Sequence, residues 1–282
     1  MTTIQLGLIG DNIASSHSPA LHKLLGRLAG LDVSYELLIP KQLGLSWLEI
    51  IQQRVRGKFV GVNITQPYKT KVLDIVTPAT AEVQSIGAIN TVVHDVDGEL
   101  LGYNTDHTGF LRAFTTKWTQ KPGRVLLLGG GGVGRAIGMA LASLIHSQNH
   151  GQLYVYDKNQ KNSSSLVQDI NILYPQTAYC CEDDPWDFDY DGLVNATPLG
   201  MDGVCGTTPL PDGYIPGVSW GFDAVYTPVE TEFRARLLQS NAEFLSGYEL
   251  FIAQALDCFA LFTGVIMEDS QELRMMLAKE CS

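Results

Sequence analysis

Short runs of apolar residues alternate along the chain with longer stretches whose apolar positions recur at helical spacing. This alternation predicts an α/β protein. Early in the chain it predicts strands at Leu6–Ile9, Ser34–Leu38, Gly61–Ile64 and Thr91–Asp95, with helices over Pro19–Ala29, Trp47–Arg54 and Pro67–Val76. Asp97-Gly98, between Val92-Val93 and Leu100-Leu101, reads as a hairpin turn because glycine tolerates positive φ. The pattern changes over Thr105 to Gly123. Beyond it come a strand at Val125–Leu128, a glycine run and a helix over Arg135–Leu144, then strands at Leu153–Tyr156, Gly192–Asn195 and Gly221–Val225. The last amphipathic stretch, Leu250–Phe262, is helical by spacing and is expected to return to the first domain.

Composition narrows this picture. At 282 residues, with 45% hydrophobic and 17% charged residues, the chain is long enough for two packed domains. A net charge of −11 without any basic run excludes a nucleic-acid partner, though a few cations or backbone N–H groups still suffice to hold one small anion. The N-terminus lacks the basic start and apolar stretch of a signal peptide and reads as a first strand. No apolar segment approaches the ~18 residues of a membrane span. The five cysteines, Cys180, Cys181, Cys205, Cys258 and Cys281, form neither a Cys-x-x-Cys pair nor a zinc spacing, so the expectation is a reduced cytoplasm and no metal site.

The run Val125-Leu-Leu-Leu-Gly-Gly-Gly-Gly-Val-Gly fits G-x-G-x-x-G at Gly129, Gly131 and Gly134, between a strand and a helix. In that setting the glycines allow a sharp turn and let a pyrophosphate approach the helix N-terminus. The bland alternative is a flexible interdomain loop. Asp157, at the end of the next strand, is placed to accept hydrogen bonds from an adenosine ribose and to repel a 2′-phosphate, which favours NAD over NADP. Lys158 beside it weakens that preference. Asp157 also reads as a helix N-cap or turn residue.

Alcohol oxidation by a dinucleotide also needs a group that takes the hydroxyl proton. His17, Lys69, Asp106, His107 and Asp223 are the candidates. Lys69 follows a buried strand that breaks at Pro67, which puts Asn63, Thr65 and Lys69 around a strand end. Asp106 is a carboxylate that could keep that lysine charged. A solvated helix lysine is the plainer reading. Ser18 before Pro19 reads equally as a helix N-cap and, with Ser16, as a carboxylate-binding pair.

The motifs Ser16-His17-Ser18-Pro19, Asn63-Ile-Thr-Gln-Pro-Tyr-Lys69, Gly87-Ala-Ile-Asn90-Thr91, Gly102-Tyr-Asn104-Thr-Asp106 and Asn195-Ala-Thr-Pro-Leu-Gly-Met201 resemble, in this order, the shikimate dehydrogenase family. Tyr226 and Gly247-Tyr-Glu-Leu-Phe-Ile-Ala-Gln254 extend the resemblance along nearly the whole chain. It implies an N-terminal α/β substrate domain over 1–106, a Rossmann-type dinucleotide-binding domain over 107–247 with a cleft between them, and C-terminal helices over 248–282 that pack back on the first. It implies Ser16 and Ser18 on the substrate carboxylate, with Asn63, Thr65, Asn90, Asp106 and Gln254 on the ring hydroxyls. Tyr226 would lie near substrate and nicotinamide, and Lys69 and Asp106 would be the catalytic pair. For the cofactor it implies Gly129, Gly130, Gly131, Gly132, Val133 and Gly134, together with Asp157, Lys158, Thr197 and Gly247.

The expected activity is reversible hydride transfer between the shikimate 3-hydroxyl and NAD, with NADP the second cofactor, in aromatic amino acid biosynthesis. The partners are small molecules, and the assembly is a monomer or homodimer. Asp157-Lys158-Asn159 replaces the Asn-Arg-Thr of many NADP-using members and resembles the NAD-preferring shikimate/quinate branch. Ser18, where that branch often has threonine, Ser246 before Gly247, and Glu249 are departures that bear on quinate as the alternative main substrate. A shikimate- and dinucleotide-binding sensor without turnover is the reading from another class. The presence of both Lys69 and Asp106 argues against it.

Overall fold

The apolar run at Leu6–Ile9 becomes strand β1 (Ile4–Ile9), whose alternate residues reach opposite faces of a sheet and are covered on both. Leu6 and Leu8 pack with Tyr35, Cys258 and Phe262, whereas Ile9 packs with Leu38, Val62 and Ile64. The computed structural model describes residues 2–181 and 184–280; Cys281 lies outside them. Two compact units divide the chain. The first runs from the N-terminus to Thr105 and resumes at Ile252, and the second spans Asp106–Phe251.

In the first unit β1 is followed by α1 (Ser18–Leu28), β2 (Val33–Leu38), α2 (Pro40–Leu43) and α3 (Trp47–Ile50). The last of these passes through a π turn, Ile51–Val55, into the short α4 (Arg56–Lys58). Then come β3 (Gly61–Ile64), a 3-10 turn at Lys71–Asp74, β4 (Thr77–Pro78), α5 (Ala81–Ile86), β5 (Thr91–His94) and β6 (Leu100–Tyr103). The sheet order is β2-β1-β3-β5-β6-β4, with β1 parallel to β2 and β3, and β5 antiparallel to β3 and β6. Gly98, at φ 82°, turns the β5–β6 hairpin as its Asp-Gly pair predicted.

Two local expectations fail here for visible reasons. No helix covers 67–76. Pro67 has no N–H to give, and the Lys69 carbonyl is taken by Ile89 N at 2.7 Å, leaving only the 3-10 turn. Ser18 is not the N-cap of α1. His17 holds that position without a side-chain bond, and Ser18 is already inside the helix.

The second unit opens with α6 (Thr105–Lys117), then β7 (Gly123–Leu128), α7 (Gly132–Gln148), β8 (Gly151–Tyr156), α8 (Gln160–Leu173) and β9 (Ala178–Cys180). It continues through β10 (Gly192–Asn195), β11 (Trp220–Asp223), α9 (Glu232–Gln239) and β12 (Glu243–Ser246). Every strand pair is parallel, in the order β12-β11-β10-β7-β8-β9, which is the Rossmann arrangement with its reversal between β7 and β10. Asp106, expected in the first domain, belongs to this unit. The apolar face of α6 explains why: Phe110 meets Phe222 edge-on and Phe114 meets Trp220 in the same way.

Helix α10 (Gly247–Thr263) carries the chain out of the second unit, and α11 (Gln271–Glu280) ends the description. The return to the first unit comes at Ile252, inside α10, rather than at 248. No helix among the described residues is long and apolar enough to cross a membrane.

Candidate functional site

In a parallel α/β sheet the ligand-facing edge is the one where the strands end. In the second unit five expected cofactor or substrate contacts sit just past five strand ends. Gly129 follows β7, Asp157 follows β8, Thr197 follows β10, Tyr226 follows β11 and Gly247 follows β12.

The glycine loop answers the dinucleotide requirement position by position. Gly129 turns at φ 99°, where L side chains are strained. A Cβ on Gly134 would stand 2.0 Å from the Gly129 carbonyl oxygen, so only glycine lets α7 pack this close to its strand. Gly131, the N-cap of α7, is the opposite case: it is exposed, and a Cβ there would meet nothing within 4 Å. An uncrowded backbone at a helix N-terminus is what a pyrophosphate needs. Gly132 and Val133 form the first turn behind it, and a Cβ on Gly130 would press the Asn162 backbone at 3.0 Å.

Asp157 belongs to the same surface. Its Oδ2 accepts the Gly130 N–H at 2.7 Å and Asn162 Nδ2 at 3.3 Å, and its Oδ1 accepts the Asn159 N–H at 2.8 Å. It is not the cap of α8, which is Asn159. These bonds occupy both lone pairs of Oδ2 and one of Oδ1, which keeps a further lone pair. Lys158 beside it is exposed. A cavity of about 530 Å³ lies next to Asp157, lined also by Tyr156, Gln160, Cys181, Asp184 and Trp186.

Past β10, Asn195 Oδ1 accepts from Thr197 N and Oγ1 at 3.0 and 2.7 Å, which fixes the turn holding Thr197. Asn195 Nδ2 donates to Asp223 Oδ1 at 3.0 Å. Asp223, one of the candidate bases, is fully buried and also accepts from Thr231 Oγ1 and Val225 N. Burial pushes its carboxyl up from an ordinary 3.8 to about 6, against the opposing pull of those donors. Its carboxylate ties the turns past β10 and β11 to the N-terminus of α9. Tyr226 stacks on Phe251 at 4.7 Å, and the backbone of Gly247 lies against the carbonyls of Asp223 and Ala224.

The first unit gathers its polar groups at one sheet edge as well. Thr65 follows β3 directly and Lys69 lies in the loop beyond it. Because β5 runs antiparallel to β3, Asn90 enters at the edge where Ile64 leaves: Ile64 N donates to Asn90 O at 2.8 Å. Thr105 ends the unit at the same edge. Ser16 and Ser18 lie at the start of α1, half-buried, with their hydroxyls 3.2 Å apart. His17 is half-buried between them, Lys69 is half-buried, and Asp106 and His107 are buried in the first turn of α6. Gln254 is half-buried on α10.

Sequence reasoning missed the support beneath Asn63 and Asn90. Tyr35 Oη donates to Asn63 Oδ1 at 2.8 Å, and Asn63 Nδ2 donates to Asn90 O at 3.3 Å and to Thr91 Oγ1 at 3.1 Å. Asn63 is therefore engaged within the fold at both ends of its carboxamide. Under Tyr35 lies His22, stacked at 4.8 Å, with Cys258 Sγ 3.5 Å from its Nε2. Burial alone holds the His22 imidazole down at about 3, so it is neutral at working pH. The only trace of this layer in the sequence is a tyrosine on the inward face of a predicted strand.

Comparison with known proteins places this geometry. The model for the shikimate dehydrogenase substrate binding domain matches residues 8–92. A quinate/shikimate dehydrogenase (NAD(+)) of Corynebacterium efficiens is 34% identical over 273 residues, covering 93% of this chain and 94% of that protein. A shikimate dehydrogenase (NADP(+)) of Streptomyces avermitilis is 34% identical over 280 residues, covering 96% of this chain and 93% of that protein. Among solved structures, the quinate dehydrogenase from Corynebacterium glutamicum in complex with NAD matches with a TM-score of 0.84 at 31% identity, over 99% of this chain and 98% of that chain. With two Rossmann-edge and hydroxyl-rich surfaces of this kind, and full-length relatives of one kind, the chain belongs to the NAD(P)-dependent shikimate dehydrogenase family.

Proposed function

We propose that this protein interconverts shikimate and its 3-keto form, with NAD as the preferred cofactor. The observation that carries the reading is the collection of Ser16, Ser18, Thr65, Lys69 and Asn90 at one edge of the first unit's sheet. Paired hydroxyls suit a carboxylate, and a threonine hydroxyl with two amides suits ring hydroxyls. In this reading Ser16 and Ser18 bind the carboxylate while Thr65, Asn90 and Gln254 orient the ring. Lys69 takes the proton of the 3-hydroxyl at Nζ during oxidation and returns it during reduction, and Asp106 is its charge partner. Tyr226 flanks the reacting ring.

Gly129 to Gly134, with Thr197 and Gly247, would hold the dinucleotide, which supplies a hydride acceptor when bound. The NAD preference is supported by Asp157. Its remaining acceptor site, on Oδ1, suits a ribose hydroxyl, and its charge opposes a 2′-phosphate. Two of the similar proteins are described as using or binding NAD. The same two descriptions name quinate, which is the second substrate reading.

A steady-state matrix of shikimate and quinate against NAD and NADP, followed at 340 nm, tests this directly. Shikimate with NAD is expected to give the highest kcat/KM. Lys69→Ala is expected to lower turnover by roughly 10²–10⁴-fold while leaving dinucleotide affinity unchanged. Absence of shikimate turnover with either cofactor in the wild type would overturn the proposal, and undiminished turnover in the variant would remove Lys69 from its role.

A further inference from the structure

The hydrogen bonds beneath the substrate edge have a direction, and that direction is set by groups that can act in one sense only. The Asn90 carbonyl can only accept, so the end of Asn63 facing it at 3.3 Å must be Nδ2. That turns Asn63 Oδ1 toward Tyr35, whose phenol donates at 2.8 Å. The second N–H of Asn63 goes to Thr91 Oγ1 at 3.1 Å. Having accepted there, the Thr91 hydroxyl has one proton to give, and Asn90 Oδ1 at 3.0 Å is a nearer acceptor than the Thr105 hydroxyl at 3.2 Å. From the other side the Thr105 backbone N–H, which can only donate, points at the same Oδ1 at 2.7 Å.

Both approaches fix the Asn90 carboxamide with its oxygen inward. Its Nδ2 gives one hydrogen to Thr105 Oγ1 at 3.0 Å. A flipped amide would set Nδ2 against two donors. The second hydrogen of Nδ2 has no partner among the described residues.

We propose that Thr91 and Tyr35 are positioning residues for the substrate site. With Asn63 they form a one-way hydrogen-bond chain that holds Asn90 with an amide N–H available to a substrate hydroxyl. The inference rests on the reading of Asn90 as a substrate contact. It also gives Asn63 a different part from the one its motif suggests: its carboxamide is a link in the support, not a contact to the ring. The far end of the chain is held by the stacking of Tyr35 on His22, with the Cys258 thiol 3.5 Å from Nε2 of that imidazole and 3.9 Å from Asn63 Oδ1. The participants are buried, so water is not at hand to substitute for a missing link.

Full-length Thr91→Val, Thr91→Ser, Tyr35→Phe and Asn90→Ala proteins test this in one set of kinetics, with dinucleotide affinity and Tm recorded for each. Thr91→Val keeps the shape and deletes the hydroxyl. It is expected to raise KM for shikimate about tenfold, the worth of one hydrogen bond to a buried amide, with kcat and dinucleotide affinity little changed. Thr91→Ser restores the wild-type KM. Tyr35→Phe retains the stack and is expected to raise KM roughly threefold. A support that matters only for folding would lower Tm or the active fraction, and so kcat, with KM unmoved.

An unchanged KM in Thr91→Val, while Asn90→Ala raises it, overturns the positioning role and leaves the proposed function standing. If Thr91→Val does not fold, an unchanged KM in Tyr35→Phe has the same force. Absence of shikimate turnover in the wild type overturns the proposed function itself, and this inference falls with it.

Discussion

The two candidate ligand surfaces of this protein are made from different materials. In the second unit the centre of the surface is backbone: the stretch Gly129 to Gly134, whose five glycines matter for the side chains they do not have. In the first unit it is a set of hydroxyls and amides from separate segments, aimed by other side chains beneath them. A surface of the first kind fails when an atom is added, and one of the second kind fails when an atom's polarity is lost. The buried ionisable groups behind the two surfaces differ as well, and they respond to pH in opposite senses.

The largest effect that would sharpen this contrast lies behind the first surface. His22 titrates near 3 when folded, against an ordinary 6.5, so its protonation favours unfolding. Its contribution is complete above about 6.5 and is lost as pH falls toward 3. At ~1.36 kcal/mol per pH unit this approaches roughly 5 kcal/mol. Hydrogen exchange read peptide by peptide should show β1 and β2 losing protection in acid more steeply in wild type than in His22→Phe. Equal slopes would show that the imidazole does not govern this unit.

Asp223 reverses the sign. Its folded value of about 6 lies above the ordinary 3.8, so its contribution is complete below 3.8 and is lost as pH rises through 6. The loss is about 3 kcal/mol. Asp223→Asn, which can reproduce the bonds to Asn195, Val225 and Thr231, should flatten the urea midpoint of the second unit between pH 4 and 7. Trp118 and Trp220 fluorescence reports that unit. A slope identical to wild type would break the comparison.

The smallest expected effect separates two glycines of one loop. Gly134→Ala must push a methyl against the Gly129 carbonyl and should cost about 2 kcal/mol of stability along with dinucleotide binding. Gly131→Ala meets no atom and should leave Tm unchanged while weakening the dinucleotide alone. Thermal melts with and without NAD distinguish these outcomes.

The same difference in material decides what could be read from the sequence. The glycine loop was legible because strand, turn and helix are contiguous and each glycine has a local reason. The hairpin at Asp97-Gly98 and strands β3 and β10 were legible for the same cause. Helix α8 was not, since its first turns are polar and serine-rich and only Ser163, Leu166 and Ile170 are buried. The expected helix after Pro67 was lost to Ile89, a partner twenty residues away whose N–H no local rule could supply. Ser16, Ser18, Lys69 and Asn90 could be proposed from motifs, but what aims them could not. Tyr35 pairs with Leu6 and Asn63 with Leu8, so the two meet only because the sheet order sets β1 between β2 and β3. Pairing across a sheet is a property of the whole unit.

The bond from the Gly130 N–H to Asp157 gives this enzyme a particular evolutionary constraint. The carboxylate that would discriminate between ribose and ribose phosphate is also an anchor for the loop that would carry the pyrophosphate. A lineage moving toward the phosphorylated cofactor by replacing Asp157 with a basic residue would gain charge complementarity and, in the same step, release its own phosphate cradle. The exchange becomes accessible only by way of an intermediate that first provides another acceptor for that N–H, and Asn162, which already donates to the same oxygen, is the nearest position from which one could arise. On the proposed reading of Asp157, this double duty would buffer cofactor choice against its single substitution.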